Sequence, residues 1–83
     1  MSGYDPADGD AIAAACVRVE RAVDAGADCD ELTAAVEALH GAARSFRAKY
    51  TGRLGRVLFG VFSDAAERYA RRGEDELVAR AGQ

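Results

Sequence analysis

Between Leu32 and Tyr50 the apolar side chains fall at Leu32, Val36, Leu39, Ala43, Phe46 and Tyr50, in steps of 4, 3, 4, 3 and 4 residues. This is the seam of a helix held over nearly three heptads, a spacing that a strand, with its alternation of period two, does not use. Such a stripe is stable only when it is laid against other helices. The fold question is therefore what else the chain can place beside it.

Two more segments qualify. Ile12, Cys16, Val19 and Val23 form one stripe, entered through Asp5 as cap with Pro6 as first helical residue, or else through Asp8 or Asp10, and ended by Gly26. Asp28 followed three residues later by Glu31 is a carboxylate version of the capping box and opens the Leu32 helix, with Thr51-Gly52 as its stop. A third stripe, Leu54, Val57, Leu58, Val61, Phe62, Ala65, Ala66 and Tyr69, is wide enough for a helix wedged between two neighbours, with Gly73 as its stop. Nineteen alanines and a single proline support helix throughout, and strand alternation is absent. The spacing predicts an all-α, three-helix up-down-up bundle over residues 1–83, with helices at about 6–25, 29–51 and 53–72 and room for one short helix over 74–81. Should Gly52 fail to break the chain, residues 29–72 would form one long helix that folds only as a dimer.

At 83 residues the chain lies near the lower limit for burying a self-sufficient core, so self-association is an ordinary route to stability. The first residues are acidic and polar and no apolar run reaches membrane-spanning length, so the expected location is cytoplasmic. Cys16 and Cys29 should lie too far apart along a helical hairpin to bridge, which suits a reducing compartment.

Charge is divided into blocks. Residues 1–40 carry a net −7, residues 41–73 a net +6 and residues 74–83 a net −2, giving the whole acidic chain −3. In an up-down-up bundle Asp5, Asp8 and Asp10 share one end with Arg44, Arg47, Lys49, Arg53 and Arg56. Asp24, Asp28, Asp30 and Glu31 share the other with Arg68, Arg71 and Arg72. Asp64 to Arg68 and Glu67 to Arg71 have the spacing of helical ion pairs. Pairing within the fold accounts for most of this, but Arg53 and Arg56 sit in the first turn of a helix, where its dipole repels cations. Together with Arg47 they form a candidate anion-binding set around Gly52-Arg53-Leu54-Gly55-Arg56, since guanidinium forks and free backbone N–H groups suit a phosphate or carboxylate. No acid occurs from Ala38 to Ser63.

Gly55, Phe59, Phe62 and Ala66 lie on one ridge of the third helix, and small residues beside aromatics let a second helix approach closely. They are the candidate contact residues for a protein partner or a second copy. The run Val57–Phe62 between arginines could also rest on an anionic membrane surface, a reading not favoured. Glu37 and His40 have the E-x-x-H spacing of helical carboxylate metal sites, which need further ligands that only a symmetric oligomer using Glu20 or Asp24 would bring; the histidine reads more simply as a boundary residue, and no metal or cofactor is expected. Ser45 and Ser63 stand outside any catalytic motif, and no phosphate-binding glycine loop follows a strand, so no enzyme activity is expected. Tyr50-Thr51-Gly52 between two helices resembles, over three residues, the W-x-G turn of the small helical-hairpin substrates of type VII secretion. Tyr stands in place of Trp, and Glu74 comes one residue later than that family's downstream Y-x-x-x-D/E would set it. The expected function is a small non-enzymatic interaction or assembly module, self-associating through the third helix; the alternative is nucleic-acid or phosphate binding by the basic segment 44–56. Aromatic burial would be nearly insensitive to salt, whereas phosphate binding would weaken steeply with it.

Overall fold

A computed structural model of the chain describes residues 4–82. Three helices, α1 (Pro6–Asp24), α2 (Cys29–Lys49) and α3 (Arg53–Ala81), each pack against the other two, in a bundle measuring 51 × 17 × 16 Å. There is no strand among the described residues.

The helix starts follow from local chemistry. The Asp5 carboxylate accepts the Ala7 N–H, with Pro6 at the first helical position, and Asp28 accepts the Glu31 N–H at 2.8 Å. Each satisfies a backbone donor that a helix start leaves open. The α1–α2 turn passes through Gly26 at φ +66°, a left-handed conformation that residues with a Cβ avoid. Gly52 precedes α3 in extended conformation and gives it no side-chain cap. The chain does break there, so residues 29–72 do not form one helix.

The core is a continuous layer of Ile12, Cys16, Val19 and Ala22 from α1, Leu32, Ala35, Val36, Leu39 and Phe46 from α2, and Ala66 and Ala70 from α3. Helix α3 thus enters the core with small residues and lies close against its neighbours. Toward the end of the bundle where α2 passes into α3, Phe46 is ringed by Tyr4, Tyr50, Phe59 and Phe62, with ring centroids 4.7–6.1 Å away. These are tilted aromatic contacts in their favourable distance range.

Gly73 corrects the expected end of the third helix. It is buried inside a helix that continues to Ala81, and a Cβ placed on it would stand 2.6 Å from Val36 Cγ2 and 3.0 Å from Val19 Cγ1. The glycine serves close helix approach and not termination. Beyond it Leu77 packs against the core, and Arg80 donates to the Ala27 carbonyl in the α1–α2 turn, so residues 74–81 extend α3 and do not form a separate helix. Both cysteines are free thiols, Cys16 buried and Cys29 exposed, and burial pushes the Cys16 thiol above its ordinary pKa.

Candidate functional site

At the α2–α3 end Asp5 and Asp8 of the α1 start are already engaged. Lys49 Nζ lies 2.9 Å from Asp8, and the Tyr50 hydroxyl donates to Asp8 Oδ2 at 2.5 Å while accepting the Asp5 N–H at 2.9 Å. The Tyr50 hydrogen bond, helped by Lys49, holds the Asp8 carboxyl below its ordinary pKa, and the same bond raises Tyr50. Lys49 is raised in turn by Asp8.

Since Lys49 and Tyr50 take up Asp8, the nearby arginines are left over. Arg44, Arg47, Arg53 and Arg56 form no ion pair among the described residues, although the charge blocks led us to expect partners in Asp5, Asp8 and Asp10. Of the three predicted anion-binding residues, Arg47 and Arg56 line one cleft of about 380 Å³ with Tyr50, Thr51 and Phe59; Arg53 is exposed outside it. The Arg47 guanidinium stands over the Phe59 ring, 5.6 Å from its centroid, a cation–π contact that fixes it at the cleft wall. Gly55 is buried because the Tyr50 carbonyl occupies the space a Cβ would need, which draws the α2 end onto the first turn of α3.

At the other end the charges do meet across helices. Arg72 pairs with Asp24 at 2.6 Å and with Glu20 at 3.8 Å, and Arg18 with Glu31 at 3.2 Å. Asp64–Arg68 and Glu67–Arg71 do not form, and the only intrahelical ion pair among the described residues is Glu76–Arg80. His40 Nε2 lies 2.9 Å from Glu74 of α3, so this histidine ties α2 to α3. No group of three metal-ligating side chains comes together among the described residues.

The expected contact ridge is turned inward. Gly55 and Ala66 are buried, and the half-buried Phe59 and Phe62 pack on Phe46, so these four residues join α3 to its own chain. What faces outward instead is Leu54, Val57 and Val61, exposed to 66%, 63% and 69%. These three were legible only as members of a wide stripe. The signal that orients the stripe is the line of small residues Gly55, Ala66, Ala70 and Gly73, all on one side of the helix at 100° per residue. That line marks the closely packed side and leaves the large aliphatics outside.

No protein-family model, curated protein or solved structure matches this chain. No helix is long and apolar enough to cross a membrane among the described residues.

Proposed function

We propose that this chain is a small non-enzymatic assembly module that pairs with a second copy of itself through the outward face of α3. The observation that carries this reading is Leu54, Val57 and Val61, three large aliphatic side chains at i, i+3 and i+7, each about two-thirds exposed on one face of α3; Val78, also exposed, lies apart from them near the far end of the helix. Covering such a side chain is worth about 1–2 kcal/mol. The six in a symmetric pair supply about 6–12 kcal/mol against an association cost of about 4–15 kcal/mol, which fits a weak, concentration-dependent dimer.

Charge selects a second copy over an unrelated partner. Arg53 and Asp64 stand eleven residues apart, just over three turns, and so share one flank of the stripe. Neither forms an ion pair among the described residues. An antiparallel pairing of two α3 helices centred near Leu58 brings Arg53 of each copy to Asp64 of the other, the reciprocal arrangement a two-fold axis requires. The same centre places Val57 and Val61 across from one another. With Cys16 and Cys29 as free thiols, we read the module as cytoplasmic.

The test is mass against concentration by size exclusion with light scattering, for the wild type and for Val57→Asp and Val61→Asp. The wild type should rise toward twice the chain mass, and both variants should stay monomeric with their helical content intact. Variants that associate like the wild type would remove α3's outer face from the account.

A further inference from the structure

We propose that the cleft between the end of α2 and the start of α3 binds the terminal phosphate of a small phosphate monoester. The site is built from two guanidinium groups carried by different helices, Arg47 on α2 and Arg56 on α3, with Thr51 in the intervening turn between them. Neither arginine has an acidic partner among the described residues. The nearby Asp8 is taken up by Lys49 and Tyr50, and residues 38–63 hold no acid, so the cleft is left with uncompensated positive charge. Two separate forks suit a doubly charged group with three terminal oxygens better than a carboxylate, which one fork already saturates. Thr51 is exposed and brings a hydroxyl to the same cleft.

The aromatic walls decide between a small monoester and a nucleic-acid strand. Binding of single strands depends on open ring faces for base stacking. Here the Phe59 ring carries Arg47 over it and packs on Phe46, with centroids 6.0 Å apart, while Tyr50 is packed by Tyr4 and Phe46 and carries Lys49 at 5.7 Å. Both rings are occupied by their own chain. The cleft volume of about 380 Å³ suits one small ligand. Phe59 lies roughly 165° and Arg56 roughly 130° around α3 from the centre of the Leu54, Val57 and Val61 stripe, so this site stays open whether or not the chain pairs through that stripe.

The experiment is an amide NMR titration of the full chain with glycerol 3-phosphate, inorganic phosphate, sodium chloride at matched ionic strength, and an oligothymidylate of about 20 nucleotides, a length that would span several binding footprints. Glycerol 3-phosphate should give saturable shifts centred on Arg47, Thr51 and Arg56, with inorganic phosphate shifting the same amides and chloride leaving them in place. Arg47→Gln and Arg56→Gln should each weaken binding about tenfold, the loss of one charge-assisted contact, while Arg53→Gln changes it little. Shifts produced by inorganic phosphate but not by the monoester would overturn the monoester assignment. Absence of saturation by either phosphate, or saturation unchanged in both cleft variants, would overturn the site. An oligothymidylate that binds more tightly than the monoester, with Arg44→Gln and Arg53→Gln costing as much as Arg47→Gln, would replace it with a nucleic-acid track.

Discussion

Gly73→Ala and Gly41→Ala add the same methyl group to two helix interiors, and the structure sets them apart. Replacing a helical glycine by alanine removes backbone freedom from the unfolded chain and is worth about 0.5–1 kcal/mol where space allows. At Gly41 a Cβ meets nothing within 4 Å, so the full gain should appear. At Gly73 the Cβ would sit 2.6 Å from Val36 Cγ2 and 3.0 Å from Val19 Cγ1, well inside the roughly 3.5–4.0 Å of an ordinary carbon contact. Both valines are stiff at χ1 on their own helices, so relief requires the helices themselves to separate, and overpacking of this kind costs about 1–3 kcal/mol. Gly73→Ala should therefore lower stability by about 0–2 kcal/mol while Gly41→Ala raises it by about 0.5–1 kcal/mol. Thermal unfolding followed by far-UV circular dichroism reads this directly, because 1 kcal/mol moves the Tm of a domain this size by about 4–8 °C. Equal increases in Tm for the two variants would show that α3 does not approach α1 and α2 at Gly73 as described.

Tyr50→Phe removes the hydroxyl that joins Asp8 to the Asp5 N–H, and should lower Tm while leaving helical content unchanged. Because the folded-state pKa of Asp8 is depressed, its stabilisation is present above the ordinary carboxylate range and lost as pH falls through the folded value. Carboxyl NMR titration should find Asp8 returned toward its ordinary pKa in Tyr50→Phe, with a flatter acid side to the stability profile; an unchanged titration would remove the hydrogen bond from the account. Alkylation under native conditions should label Cys29 quickly and Cys16 only on unfolding, with no change in Tm on adding reductant; rapid labelling of both would contradict the burial of Cys16.

What the sequence made legible was the chemistry that acts locally. Asp5 with Pro6, Asp28 with Glu31, and the seam from Leu32 to Tyr50 mark helix starts and a buried face through contacts within one or two turns. Gly73 was misread because a glycine that ends a helix and one that admits a neighbouring helix look alike in sequence, and only the positions of Val19 and Val36 distinguish them. That Gly55, Phe59, Phe62 and Ala66 face inward was hidden for a related reason. The apolar arc of α3 is continuous from Val57 round to Ala70, and its inner half is set by where Phe46 lies, a tertiary fact. The charge blocks named the right end of the bundle and had Lys49 among the partners of Asp8, but the Tyr50 hydroxyl, which shares Asp8 with Lys49 and leaves the arginines unpaired, carries no charge to signal it.

Self-association through an antiparallel pair of α3 helices is tested most directly by a charge-reversal cycle in sedimentation equilibrium, comparing the wild type with Arg53→Asp, Asp64→Arg and the double variant. Each single reversal sets like charges against each other across the two-fold axis and should weaken the dimer; the double variant restores opposite charges at both contacts and should recover most of the wild-type association. A wild type that stays at the 8.7 kDa chain mass at every concentration, or a double variant no stronger than its single parents, would contradict the pairing.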